Sequence, residues 1–412
     1  MTDLLERFLK YVSFDTQSDE LSETQPSTEK QFDLLKVLQD ELSAMGIEST
    51  LDRHGYLYAA IPANTTEEYP KIGFLAHVDT SPDVSGKNVK PIVWKNYDGK
   101  DMLLNSGKDI SLKTDEYPEL KNHIGQTLIT TDGTTLLGAD DKAGIAAIMQ
   151  MAEFLTENPD FEHGEIKIAF TPDEEIGRGT ENFDLKKFGA DYAYTIDGGE
   201  AGELEYECFN AAGAEINISG NNIHPGYAKG KMVNSILVAK EFDSMLPENE
   251  RPENTDGYDG FFHLTDFRGD VEHTTLQYIV RDHSLDKFML RKQKLTDITE
   301  SLNRKYGNIV QTEITDTYRN MREYIEPHFE VVEWALEAMK KSGIVPKVQP
   351  IRGGTDGASL SAKGLPCPNI FAGGHNFHSR FEYVPLESIE KAKDVMLNIL
   401  QVSYLSSKSL PR

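Results

Sequence analysis

Acidic and histidine side chains recur where predicted strands end. His77 and Asp79 close the apolar run KIGFLAHVD, Glu174 and Glu175 follow EIKIAFTPD, and Asp197 ends DYAYTID. Imidazole and carboxylate groups are ligands that Zn2+ takes in proteins. Because the carboxyl ends of parallel strands meet at one edge of an open α/β sheet, we expect these side chains to face one crevice. The pattern therefore predicts a metal site at that edge.

Two further groups extend this set. Asp140 and Asp141 lie in LLGADDKAG, in front of a small apolar helix, and His375 and His378 lie in GGHNFH after the predicted strand PNIFA. Taken singly, each group has an ordinary explanation, such as an acidic helix cap, a surface His–Asp pair or a core histidine. Five such junctions in one chain favour a metal site. Three carboxylates and a bridging hydroxide nearly neutralise two Zn2+ ions, for which Mn2+ or Co2+ can substitute.

The elements around these residues alternate between strand and helix. Apolar runs predict strands over 71–79, 165–171 and 191–197. Within 136–151 an acidic turn leads into a helix with apolar residues from 143 to 151, and helical spacing predicts another helix over 386–403. This alternation is typical of an α/β fold with a mostly parallel sheet flanked by helices. Such a fold would hold the acidic and histidine groups at the ends of its strands.

Two segments interrupt the alternation. Residues 81–135 are rich in Asp, Lys, Asn, Gly and Pro and are too long for a plain loop, so we expect an insertion with some strand of its own. Residues 208–318 show a β-α-β-β-α-β order, which predicts an inserted α+β domain with one antiparallel, ferredoxin-like sheet. The catalytic α/β domain would then consist of residues 1–207 and 319–412.

The composition argues against several classes of protein. The chain has 412 residues and a net charge of −26, a field that repels nucleic acid and anionic membranes. No apolar run approaches transmembrane length, and the N-terminus lacks the basic and apolar regions of a signal peptide. Cys208 and Cys367 are too few for a disulfide framework. We therefore expect a cytoplasmic protein that binds neither nucleic acid nor membranes.

The order of the motifs resembles that of the M20 family of dinuclear zinc peptidases. HVDT, GADDKAG, PDEEIG and TIDGG come first, an inserted domain follows, and RGGTDG and NFHSRFE come last. The resemblance covers essentially the whole chain. The zinc ligands that it implies are His77, Asp140, Glu175, Asp197 and His378. Among them, Asp140 would bridge the two ions.

The resemblance also implies roles for neighbouring residues. Glu174 would be the general base that takes a proton from the attacking water. Asp79 would orient the imidazole of His77, as carboxylates do for metal-bound histidines. Asp141 would be a structural neighbour of the bridging carboxylate, and His375 is not expected to be a ligand.

The implied activity is that of an aminopeptidase acting on tripeptides. His224, in NNIHPG, would donate a hydrogen bond to the oxyanion, because related dimeric enzymes project such a histidine into the partner's active site. Arg281 and Arg352 are candidates to bind the C-terminal carboxylate of the substrate, which suits the bidentate geometry of arginine. The alternatives for these residues are a turn histidine without a role and ordinary salt bridges. The inserted domain would serve as a lid and as the surface of a homodimer.

Two other functions stay open on the sequence. The chain could be another M20-type enzyme, a dipeptidase or an N-acyl amino acid amidohydrolase. It could also be a catalytically silent protein that binds peptides or metals. The segment 81–135 favours the tripeptidase, because this insertion would line the crevice. Glu174 argues against a silent protein, since a pure binder needs no base beside its metals.

Overall fold

The structure, a computed structural model, describes residues 2–67 and 69–409. The chain forms two compact units. The larger unit comprises the described residues within 1–206, 323–349 and 355–412, and the smaller unit comprises 207–322 and 350–354.

Helices and strands alternate along most of the chain. The helices are α1 (Leu4–Val12), α2 (Gln31–Ala44), α3 (Ala139–Glu157), α4 (Leu185–Phe188), α5 (Ser235–Ser244), α6 (Leu285–Tyr306), α7 (Arg322–Ile325), α8 (Glu330–Lys341), α9 (Asp356–Ala362) and α10 (Leu386–Ser409). The strands are β1 (Ser49–Leu51), β2 (Leu57–Ile61), β3 (Ile72–His77), β4 (Ile92–Trp94), β5 (Met102–Asn105), β6 (Ile110–Leu112), β7 (Leu128–Thr130), β8 (Ile166–Thr171), β9 (Tyr192–Gly198), β10 (Glu203–Glu205), β11 (Asn210–Ser219), β12 (Phe261–Gly269), β13 (His273–Asp282), β14 (Val310–Tyr318), β15 (Lys347–Val348), β16 (Asn369–Phe371) and β17 (Tyr383–Pro385).

The larger unit is built on an eight-stranded sheet. Its strand order is β1-β2-β8-β3-β9-β16-β10-β15, and the central strands β8, β3, β9 and β16 run parallel. All six residues of β3 are buried, as expected for a central strand covered on both faces. The predicted mostly parallel sheet is therefore confirmed.

The segment 81–135 contains four short strands, as expected. β4 and β7 form a three-stranded sheet with β17, and β5 pairs with β6. These elements enclose a small apolar cluster that includes Met102, Leu112, Leu120 and Tyr383. The insertion is thus ordered by its own core and by the late strand β17.

The smaller unit contains one antiparallel sheet in the order β12-β13-β11-β14. Alternate residues of β11, among them Ile216 and Ile218, point into a core that they share with Phe242 of α5 and Leu295 of α6. The chain order β11-α5-β12-β13-α6-β14 is the predicted β-α-β-β-α-β order. Its first strand lies between its third and fourth, which is the ferredoxin-like arrangement.

Several element ends differ from the prediction. The strand predicted over 71–79 is limited to Ile72–His77, and the last helix runs to Ser409 rather than 403. β10 and β17 have only three residues each and were not predicted, because so short a run carries no periodic signal. In the described part of the chain, no helix is long and apolar enough to cross a membrane.

Candidate metal centre

The central strands of the larger unit bring the predicted residues to one edge of the sheet. β8, β3, β9 and β16 are neighbours and parallel, so their carboxyl ends meet. His77 is the last residue of β3, Glu174 follows β8, and Asp197 lies at the end of β9. The loop after β16 leads to His378. The predicted convergence of these strand ends is therefore seen.

One cluster of candidate ligands consists of His77, Asp140 and Asp197, whose ligand atoms all lie within 4.8 Å of one another. The Nε2 atom of His77 lies 2.8 Å from Oδ1 of Asp140 and 3.4 Å from Oδ1 of Asp197. The side chain of His77 is only 2% exposed, and both carboxylates are largely buried. One divalent ion could be held here by one nitrogen and two carboxylates.

A second cluster consists of Asp140, Glu175 and His378. The Nε2 atom of His378 lies 2.8 Å from Oε2 of Glu175 and 3.4 Å from Oδ2 of Asp140. Asp140 therefore turns Oδ1 to the first cluster and Oδ2 to the second. That is the arrangement of a carboxylate that bridges two ions.

Each of the two histidines contacts a carboxylate through its Nδ1 atom. The Nδ1 atom of His77 lies 3.0 Å from the backbone oxygen of Asp79 and 3.3 Å from its Oδ1. The Nδ1 atom of His378 lies 3.1 Å from Oδ2 of Asp83. These contacts favour the proton on Nδ1 and leave the Nε2 lone pair for a metal ion. Asp83 was not predicted, because nothing in the sequence connects an exposed acid of the insertion with His378.

Asp79 has a second set of contacts. Its Oδ1 accepts the backbone N–H of Glu174 at 3.0 Å, and its Oδ2 accepts that of Glu175 at 3.2 Å. Asp79 is completely buried. The carboxylate that was predicted to orient His77 therefore also fixes the backbone of the acidic pair after β8.

The turn before α3 separates the two acids of the motif GADDKAG. Gly138 adopts a left-handed conformation with φ of +83°, and neither Asp140 nor Asp141 has helical backbone angles. Oδ1 of Asp141 accepts the N–H of Gly144 at 3.1 Å, which caps the regular part of the helix. Asp141 is therefore the cap, while Asp140 is free to project into the centre.

The buried carboxylates of the two clusters lie close enough together to perturb one another's pKa values. Burial and the charge of Asp140 raise the pKa of Glu175 to about 8, and burial raises that of Asp197 to about 6. Burial and the charge of Asp197 raise the pKa of Glu174 well above its ordinary value. Hydrogen bonds to Asp140 and Glu175 raise the pKa of His378 to about 11. Carboxylates crowded in this way are stabilised as anions by divalent cations.

The donor set also fits metal ions in its chemistry. Two imidazoles and three carboxylates offer the mixed nitrogen and oxygen ligands that Zn2+ accepts. The Oε1 atom of Glu175 is buried and has no hydrogen-bond partner among the described residues. An ion in the second cluster would satisfy it. His375, which was not predicted to be a ligand, belongs to neither cluster.

The predicted substrate-binding residues lie in the smaller unit. His224 is exposed, and its Nδ1 accepts the N–H of Gly226 at 3.1 Å. Arg352 donates from Nη1 to the carbonyl of Gly257 at 2.7 Å and from Nη2 to Oγ1 of Thr255 at 3.1 Å. Its guanidinium is therefore already engaged with the loop 255–259.

Arg281 is less fully engaged than Arg352. Its Nη1 lies 3.5 Å from the backbone oxygen of Arg352, and its guanidinium lies 5.6 Å from the ring centroid of Tyr318. Its Nε has no hydrogen-bond partner within the described ranges. Of the two arginines, Arg281 is the one with donors to spare for an anion.

Comparisons with known proteins agree with this centre. A model of peptidase family M20/M25/M40 matches residues 131–402. The chain belongs to this family. A relative from Caldanaerobacter subterraneus subsp. tengcongensis, named Peptidase T, is 57% identical over 404 residues, which cover 98% of this chain and 99% of the relative.

Two solved structures share the fold of this family member. An aminopeptidase PepT from Bacillus cereus has a TM-score of 0.77 at 24% identity and covers 97% of this chain and 98% of its own. A tripeptidase from Staphylococcus aureus has a TM-score of 0.78 at 23% identity with the same coverage. The family resemblance predicted from the order of the motifs is thus confirmed, and the two ligand clusters give this M20 peptidase a candidate metal centre.

Proposed function

We propose that this protein is a metallo-aminopeptidase that releases the N-terminal residue of tripeptides. The observation that carries the proposal is Asp140, whose two oxygens face two separate ligand clusters. The name of the 57% identical relative, Peptidase T, and the tripeptidase of similar fold support the activity and the substrate. The supporting likeness extends over nearly the whole chain.

Two zinc ions are the metals that we propose for this centre, with Mn2+ or Co2+ as substitutes. His77 and Asp197 would hold one ion, Glu175 and His378 would hold the other, and Asp140 would bridge them. Three carboxylates and two neutral imidazoles suit two divalent ions, because the carboxylates would offset three of the four positive charges. Bound ions of this kind supply a water of lowered pKa and polarise the peptide carbonyl.

Glu174 is the proposed base. It lies beside the ligand Glu175, its backbone is fixed by Asp79, and no histidine or arginine bonds its carboxylate within the described chain. Glu174 would take a proton from the attacking water and deliver it to the nitrogen of the leaving peptide. A carboxylate that is not tied up as a ligand is free to carry that proton.

His224 and Arg281 are the proposed contacts of the substrate. Because Nδ1 of His224 accepts a backbone N–H, the neutral imidazole carries its proton on Nε2 and can donate it to an oxyanion. Arg281 would bind the C-terminal carboxylate, which would limit the length of peptide that fits. Arg352 is the weaker candidate, since its donors are bound to the loop 255–259.

The smaller unit is the proposed lid and dimer surface, and the cytoplasm is the proposed compartment. The smaller unit has its own hydrophobic core, which suits a separate domain. Both cysteines are free and buried, as expected for a protein that acts in a reducing compartment.

Hydrolysis of matched di-, tri- and tetrapeptides tests this function. Each peptide is supplied with a free and with an acetylated N-terminus, and the released amino acid is identified. We expect release of the N-terminal residue from the free tripeptide and much slower cleavage of the others. Equal rates at all lengths would contradict the tripeptidase, and preference for the acetylated peptides would favour the N-acyl amidohydrolase instead.

A further inference from the structure

The motif NFHSRFE contains an acid, Glu382, to which the mechanism above gives no role. Its side chain is buried, with a relative exposure of 1%. Oε2 accepts the backbone N–H groups of Leu137 and Gly138 at 2.7 and 2.8 Å, and Oε1 accepts that of Asp140 at 3.0 Å. One carboxylate thus takes three hydrogen bonds from a single turn.

That turn is the one that presents the bridging carboxylate. Gly138 holds the left-handed conformation from which the chain enters the non-helical stretch at Asp140 and Asp141. None of the three N–H groups belongs to a regular helix, because the helical ladder begins only after Asp141. Without Glu382 these N–H groups would lose this hydrogen-bond partner. A buried donor without a partner lowers the free energy of unfolding.

A carboxylate is better suited to this position than a neutral group. Hydrogen bonds from backbone N–H groups to an ionised acceptor are shorter and stronger than neutral ones. An amide has a single acceptor oxygen, so it could serve either the Leu137–Gly138 side or the Asp140 side, and its NH2 group would face a donor. The three hydrogen bonds together offset part of the free-energy cost of burying the charge of Glu382.

We infer that Glu382 is a positioning residue that holds Asp140 where it can bridge the two metal ions. It acts through the backbone of Asp140 and contacts neither the substrate nor the ions. The inference rests on the proposed dinuclear centre. Because Asp140 belongs to both ligand clusters, Glu382 supports both ions at once. Asp83, whose carboxylate contacts His378 of the second cluster, supports one.

Metal affinity of the purified full chain tests the inference. Zn2+ is titrated into metal-free wild type, Glu382→Gln, Glu382→Asp and Asp83→Asn in competition with a chromophoric chelator. We expect Glu382→Gln to weaken both ions, by about 10- to 100-fold, as is typical when a partner of a metal ligand is changed. Asp83→Asn is expected to weaken one ion only. Glu382→Asp keeps both oxygens one methylene further back, so we expect a smaller loss for both ions.

Controls separate positioning from a general loss of stability. Asp184→Asn changes a carboxylate that accepts two backbone N–H groups at the start of α4, away from both clusters, and should leave both affinities unchanged. Thermal unfolding and circular dichroism of the metal-free variants show whether each is folded. The visible spectrum of the Co2+-loaded protein is expected to change for both ions in Glu382→Gln, which a distant loss of stability would not cause.

The outcomes distinguish the inference from the proposed function. If wild type binds two ions and folded Glu382→Gln binds both within about twofold of wild type, the role of Glu382 is refuted while the centre stands. If Glu382→Gln does not fold, the Glu382→Asp variant decides instead. Wild-type affinity of Glu382→Asp for both ions would then refute the role of Glu382. If wild type binds no second ion, the dinuclear centre itself fails. Loss of a single ion in Glu382→Gln would also contradict a role exerted through the bridge.

Discussion

The carboxylate of Asp79 accepts the backbone N–H of Glu174 at 3.0 Å. The same carboxylate accepts the N–H of Glu175 and lies 3.3 Å from Nδ1 of His77. One buried acid therefore couples the end of β3 to the loop after β8. The position of the proposed base and the orientation of one candidate ligand depend on the same side chain.

Replacing Asp79 should therefore damage more than one function. We expect Asp79→Ala to weaken metal binding in both clusters by about 10- to 100-fold, because His77 serves one and Glu175 the other. Asp79→Asn keeps one acceptor oxygen and should be less severe. Equilibrium dialysis followed by metal analysis measures both affinities. Loss confined to the His77 cluster would show that the bonds to the acidic pair are dispensable.

If Asp140 bridges the two ions, substitutions of different ligands should leave different numbers of ions bound. Asp140→Ala should lose both ions together, since each cluster contains this residue. His378→Ala should lose one ion and keep the ion at His77, because the clusters share only Asp140. Metal content per chain after gel filtration distinguishes these results. One retained ion in Asp140→Ala would place the bridge elsewhere.

Glu174 should affect turnover without affecting metal content. Glu174→Gln removes the proposed base but leaves every candidate ligand in place, so we expect about two ions per chain and a kcat lower by roughly 10²- to 10⁴-fold. Glu181→Gln makes the same change on an exposed side chain nearby and should be neutral. Activity of Glu174→Gln near that of wild type would refute its role as the base.

The sequence predicts the contacts that short chain separations impose. His77 and Asp79 are two residues apart, and the predicted contact between their side chains is seen although β3 ends at His77. The convergence of His77, Glu174 and Asp197 follows from the parallel order of their strands. These predictions need only local pattern and one rule of sheet topology.

Other contacts depend on the paths of loops, which the sequence does not reveal. The bond between Asp79 and Glu174 requires β3 and β8 to be neighbours in one particular register, with His77 beside Thr171. Asp83 approaches His378 although 295 positions along the chain separate them. Local propensity does not encode such distant pairs. Glu382 is the last residue of the motif NFHSRFE, but its partners are backbone groups that no sequence pattern indicates.

The two arginines of the smaller unit should respond differently to substitution. Arg281→Met should lower kcat/KM by about 10- to 100-fold for tripeptides with a free C-terminus, the range expected when a charge-assisted hydrogen bond is lost. It should have little effect on C-terminal amides. Arg352→Met should instead lower the free energy of unfolding. The variant loses the hydrogen bond to the carbonyl of Gly257 and the contact of the guanidinium with the ring of Phe209. Kinetics on the paired peptides and thermal unfolding check both. Equal losses on acids and amides would remove Arg281 as the carboxylate anchor.

His375 should make the stability of the larger unit sensitive to acid. Its ring stacks on Tyr383 at 4.6 Å, and burial, together with the charge of His123, lowers its pKa from 6.5 to about 4. Below pH 6.5 the unfolded chain binds a proton that the folded chain does not, so this group reduces the free energy of unfolding as the pH falls from about 6.5 to about 4. His375→Phe keeps a stacked ring that cannot titrate. Urea unfolding of the metal-free proteins between pH 7 and 4 should therefore show a shallower decline for the variant, and parallel declines would contradict the buried, neutral imidazole.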